Sequence, residues 1–205
     1  MKSRWCLQFF NFTFNNFSKK KQKIMKSVGD KFPKFKKTAI LADNSFGEIT
    51  SKDHQADGKW AVYFFYPKDF TFICPTEIVE FNNNHDKFKA LHAELYGLST
   101  DTAEVHLAWK THDPKLSNLT FPLIEDTSKS LSKKLGILQP GSVAYRATFI
   151  VDPEGVIQWV NCNNDGTGRN VTEVLRALEA TQNPGLTGCN WQPGEATLSI
   201  MENVN

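Results

Sequence analysis

No stretch of this 205-residue chain is apolar for long enough to cross a bilayer. Cysteine is scarce. Cys6, Cys74, Cys162 and Cys189 are too few and too far apart for a disulfide scaffold, and their spacings match no zinc pattern. The five histidines are scattered, and none stands at ligand spacing from a cysteine. No internal repeat is visible. Acidic residues are nearly missing from the first forty positions, where eleven Lys or Arg face the single acid Asp30. Thirteen basic and twenty-one acidic residues remain in 41–205, a net of −8. The basic excess is thus an N-terminal property, and the body is a mildly acidic domain with no sign of a nucleic-acid or membrane partner.

Residues 1–24 differ from the rest. Phe9, Phe10, Phe12, Phe14 and Phe17 alternate with asparagines, and Lys19, Lys20, Lys21 and Lys23 follow. A secretory signal needs an uninterrupted apolar core and a small-residue cleavage site, and neither is present. A single arginine is little for a mitochondrial presequence. The reading adopted is a disordered or non-native extension over 1–24, with the native chain starting at Met25. The domain proper is expected over 25–183, with a tail over 184–205.

What the chain does have is concentrated in Trp60–Glu77. Trp60 to Tyr66 is an apolar, aromatic run without polar alternation, as in a strand buried on both faces. Pro67 stops it. Pro75 suits the first turn of a helix, where a missing N–H costs nothing. Ile78, Val79, Phe81, Phe88, Leu91 and Leu95 continue at helical spacing. Cys74 therefore falls at a helix N-terminus, where free N–H groups and the positive dipole end favour a thiolate. An isolated cysteine is ordinarily a small core residue; the strand–loop–helix setting favours chemistry here. A dithiol site of the thioredoxin kind needs a second cysteine three positions on, and Glu77 stands there.

Further elements are expected at Phe46–Thr50, Leu95–Asp101 and Phe121–Asp126 as strands. Helices are expected through Val105, Leu107, Ala108 and Trp109, and from Leu131 to Leu135 up to Gly136. Arg146–Val151 and Val156–Val160 flank the turn Asp152-Pro153-Glu154-Gly155 and read as a hairpin. Asn170–Thr181 is an amphipathic helix with Asn170 or Thr172 available as its cap. The order implies an α/β domain, a mixed sheet covered by helices. After the last helix the chain is rich in Gly, Pro and Asn and reads as a mobile loop.

Pro67, then Thr71, Cys74 and Pro75, is the active-site pattern of the peroxiredoxins, which the chain resembles closely. Phe64–Glu77, Gly168-Arg169-Asn170-Val171 and Cys189-Asn190-Trp191 carry a closer likeness to the bacterial alkyl hydroperoxide reductase C proteins, in their mycobacterial-like branch. The resemblance implies a thioredoxin-like fold and a typical two-cysteine peroxidase. Cys74 would attack a peroxide and become a sulfenic acid. Thr71 and Arg146 would hold the substrate oxygens, Pro67 would shield the sulfur, and Glu77 would orient Arg146 from behind. Cys189 of the partner subunit would resolve the sulfenic acid, in a homodimer that assembles into a ring. A thioredoxin-like or dedicated dithiol reductant would restore the pair, without metal or other cofactor, in the cytoplasm. A holdase chaperone is the alternative function that the resemblance suggests. Arg169 is expected to be structural, Cys162 a buried or idle thiol, and Cys6 without a role. Thr187 occupies a position where that branch can carry a further cysteine. The Gly-Gly-Leu-Gly segment linked to easy over-oxidation is absent, Lys115–Thr120 standing near its place, and no Tyr-Phe pair ends the tail. Slow over-oxidation is therefore expected.

Overall fold

The computed structural model describes residues 24–198. Most of the proposed extension and the last seven residues lie outside the described residues. Seven strands form one mixed sheet: β1 (Lys36–Ile40), β2 (Phe46–Thr50), β3 (Trp60–Phe65), β4 (Ala93–Ser99), β5 (Leu123–Glu125), β6 (Arg146–Val151) and β7 (Ile157–Asn163). Their order across the sheet is β2-β1-β5-β4-β3-β6-β7. The β3–β4 and β4–β5 pairs are parallel, and the others are antiparallel. Six helices accompany them: α1 (Asp53–Ala56), α2 (Cys74–Asn83), α3 (His85–Ala90), α4 (Ala103–His112), α5 (Ser130–Leu135) and α6 (Val171–Gln182). No described helix is long and apolar enough to cross a membrane.

The aromatic run that dominates the sequence is the centre of this sheet. β3 lies between β4 and β6, and Ala61 to Phe65 have no exposed surface. Its side chains alternate between two cores. Val62 and Phe64 join Cys74, Ile78, Phe81 and α6 on one face. Ala61, Tyr63 and Phe65 join Phe149, Leu98 and Ile157 on the other. Phe64 stacks on Phe81 with ring centroids 4.1 Å apart, and Tyr63 stacks on Phe32 at 4.4 Å. Each large side chain buried in this way stabilises the fold by about 1.5–3 kcal/mol. Gly97 on β4 is required by the same packing: a Cβ there would lie 2.8 Å from Leu123 and 2.9 Å from Phe64.

The hairpin, the helix ending at Gly136 and the last helix occur as the sequence predicts. Asn170 caps α6, its side-chain oxygen accepting from the Glu173 N–H at 3.1 Å. The strand from Leu95 also occurs, Leu95 pairing with Val62, and α4 occurs where expected, with Ala103, His106, Trp109 and Lys110 buried. Two expectations change. The helix after Cys74 stops at Asn83, because the Asn84 amide turns back onto the Glu80 carbonyl at 2.9 Å. The tail has no helix or strand among its described residues but is pinned. Trp191 is buried, its ring N–H donates to the Glu195 carbonyl, its carbonyl accepts from Arg176, and Leu186 bridges to Leu198.

Near the N-terminal end of the described residues, Met25 packs against the core, and the Lys26 N–H donates to the Leu135 carbonyl at 2.9 Å.

Candidate active site

Cys74 opens α2 directly below the end of β3, because Pro67 ends the strand and Pro75 starts the helix. The sulfur is fully buried. Between them runs the loop 66–73. Pro67 is buried, Thr71 is half-buried, and Phe70 and Phe72 are exposed. Phe70 adopts φ +54°, against the tip of α4, with ring centroids 5.9 Å from Trp109 and 6.3 Å from His112. A side chain in that backbone region costs about 1–2 kcal/mol. The loop is thus held in a strained form.

β6 lies beside β3 in antiparallel register and delivers Arg146 from its first position. Arg146 Nη1 donates to the Cys74 sulfur at 3.3 Å and to Glu77 Oε2 at 2.8 Å, while its Nε donates to the Asp165 carbonyl at 2.8 Å. Burial works against the charge on Arg146, but Cys74 and Glu77 outweigh it and raise its pKa. Glu77, one turn along α2, is the hub of these contacts.

Arg169 is what the sequence reading underestimated. Its Nη2 donates to Glu77 Oε2 at 2.7 Å, and its backbone N–H and Nε donate to Glu77 Oε1 at 2.8 and 3.1 Å. Nη1 also reaches the Phe65 carbonyl at 2.6 Å, and the guanidinium lies over Phe64 and Phe81. It is structural in the sense expected, but its structure is that of the site. Two guanidinium groups and one carboxylate leave one positive charge facing the sulfur; a negative sulfur completes a neutral set. The local sequence signal was Gly168-Arg169 just ahead of the α6 cap, which says nothing of distance to Glu77.

Glu77→Gln tests this hub. The amide keeps the shape but leaves two guanidinium groups buried without their anion, and breaking such a pair costs about 3–5 kcal/mol. Urea unfolding should show a loss of that order, and an unchanged midpoint would refute the hub.

The remaining residues are placed as follows. Thr71 Oγ1 donates to the Lys68 carbonyl at 3.0 Å, and no hydrogen bond joins it to Cys74. Cys189 is exposed in the pinned tail and unpaired. Cys162 is neither buried nor beyond the hairpin. It lies within β7 opposite Ala147, and is exposed. Partial desolvation of its sulfur raises the thiol pKa, against the pull of the Arg169 charge.

The AhpC/TSA family model matches residues 28–160. The alkyl hydroperoxide reductase C of Mycolicibacterium smegmatis is 40% identical over 187 residues, covering 86% of this chain and 95% of that protein. Among solved structures, the reduced 2-Cys peroxiredoxin of Plasmodium vivax aligns with a TM-score of 0.79 at 36% identity, over 84% of this chain and 92% of that one. Mycobacterium tuberculosis AhpC aligns with a TM-score of 0.73 at 40% identity, over 78% of this chain and all of that one. A buried cysteine at a helix mouth under an arginine, carried on a thioredoxin-like sheet, agrees with these likenesses, and the chain belongs to the AhpC/TSA family of peroxiredoxins.

Proposed function

We propose that this thiol-dependent peroxidase reduces hydrogen peroxide and organic hydroperoxides through Cys74. The observation that carries the reading is the Arg146 guanidinium, 3.3 Å from a sulfur at the start of α2. The Cys74 thiolate attacks one peroxide oxygen, and the S–O bond forms as the O–O bond breaks. The sulfur is oxidised to sulfenic acid, and the leaving oxygen takes a proton to become water or an alcohol. Arg146 stabilises the charge that moves onto the leaving oxygen. Thr71, with its own hydrogen committed to Lys68, offers lone pairs to the O–H of the peroxide. Pro67 covers the sulfur against water.

Cys189 of a second chain then attacks the sulfenic sulfur, hydroxide leaves as water, and a disulfide joins the two chains. The exposure of Cys189 and of the aromatic side chains Phe70 and Phe72 beside the site supports a meeting of two copies. In this reading the dimers close into a ring, a thioredoxin-like or dedicated dithiol protein reduces the disulfide, and the compartment is the reducing cytoplasm. Over-oxidation is slow.

One equivalent of peroxide should give a disulfide-linked dimer on a non-reducing gel, mapped to Cys74 and Cys189. Cys189→Ser should remove the dimer band, leave a trappable sulfenic acid at Cys74, and stop turnover with a thioredoxin-like reductant. Cys162→Ser should change neither. A Cys74–Cys162 linkage would transfer the resolving role to Cys162.

A further inference from the structure

Between Pro67 and Cys74 only one side chain is buried, and it is a carboxylate. Asp69 is 2% exposed, while Lys68, Phe70 and Phe72 face solvent. Asp69 Oδ2 lies 2.7 Å from Nδ1 of His106, which is itself fully buried in α4. The other ring nitrogen, Nε2, lies 3.3 Å from the Ile124 carbonyl of β5. The ring thus ties the loop carboxylate on one side to the sheet on the other. The Asp69 N–H donates to Asp101 Oδ2 at 2.8 Å, which also receives the Ser99 hydroxyl at 2.7 Å. Asp69 Oδ1 has no partner. At the middle of the loop the inward polar attachment is thus the Asp69–His106 contact and one backbone hydrogen bond, next to the packing of Phe70 on Trp109 and opposed by the backbone strain at Phe70.

We propose that Asp69 and His106 are positioning residues: together they latch the loop 66–73 onto α4 and thereby set the balance between attack on peroxide and formation of the disulfide. The proposal rests on the peroxidase reading of Cys74. Attack needs the sulfur buried under Arg146, hence a closed loop. Disulfide formation needs that buried sulfur to reach a cysteine of another chain, hence an open one. A latch shifts the two steps in opposite directions.

Other polar and charged groups stand around the ring. Besides Asp69, the Tyr66 hydroxyl at the end of β3 lies 3.5 Å from Nδ1. Asp101 acts from the turn before α4. From β5, Glu125 is the charged neighbour of Ile124, and its carboxylate accepts from the Ala103 N–H. Within α4, Lys110 turns away to the Leu41 and Ala42 carbonyls, and His112 lies against Phe70.

Three full-length variants test this: His106→Ala, Asp69→Asn and His106→Asn, whose amide nitrogen replaces Nδ1 as a donor. In reduced His106→Ala, hydrogen exchange of the 67–74 peptide should speed about tenfold or more, with β3 protection unchanged. Single-turnover oxidation of Cys74 should slow about tenfold, and the disulfide step should speed by a similar factor. His106→Asn, whose amide can still donate to Asp69, should restore both rates toward wild type. Unchanged loop exchange in the folded variant, both steps moving the same way, or no restoration in His106→Asn would each overturn the latch. Should His106→Ala not fold, Asp69→Asn carries the same exchange measurement. Hydrogen exchange uses no peroxide, so it decides the latch separately from the role of Cys74.

Discussion

Serine at position 74 is expected to abolish peroxide consumption while leaving the fold intact. The hydroxyl fills nearly the same space at the start of α2 and can still accept the hydrogen bond that Arg146 now gives to sulfur. What it lacks is a populated anion at neutral pH, and without one there is no nucleophile strong enough to cleave the O–O bond. The measurement is loss of hydrogen peroxide with a dithiol reductant in excess, alongside the thermal midpoint of the same sample. A Cys74→Ser protein that still consumes peroxide near the wild-type rate would remove the cysteine from the reaction.

Arg146→Ala should have the next largest effect. The guanidinium does two things at once. It supplies positive charge 3.3 Å from the sulfur, and it is the only side-chain donor to that sulfur among the described hydrogen bonds. Loss of one donor that acts on developing charge lowers a rate by about 10²–10³-fold. Stopped-flow oxidation of Cys74 should show that drop at saturating reductant. The alanine variant also leaves the Asp165 carbonyl without its 2.8 Å partner, so lysine does not restore the site: a single ammonium cannot reach sulfur, carboxylate and carbonyl together. A rate within tenfold of wild type would exclude Arg146 from the transition state.

The parts of this site that lie close together in sequence could be read without coordinates. Pro67, Cys74 and Pro75 mark a strand end and a helix start by backbone chemistry alone, and the aromatic run before them could only be an interior strand. Asn170 announced the cap of α6 in the same local way. The parts that were not legible depend on contacts between distant segments. β1 contains two lysines and no clean alternation; it is a strand because β2 and β5 supply its partners. Arg169 looks like a charge before a helix until the fold brings it to Glu77. His106 stands among apolar neighbours in α4, and nothing local points to Asp69 as its partner.

The sequence distances within the site have a consequence for biosynthesis. Arg146 follows Cys74 by 72 residues, and Arg169 follows Glu77 by 92. At about 5–20 residues per second, the ribosome releases the cysteine about 4–14 seconds before the first arginine exists. The strand that carries Arg146 must then pair with β3 at long range, a slow step in folding because a large loop has to close. Until it does, Cys74 has only the end of a nascent helix for company. The nascent chain therefore carries Cys74 for that interval without Arg146 beside it, and the site is assembled only when the central sheet is complete.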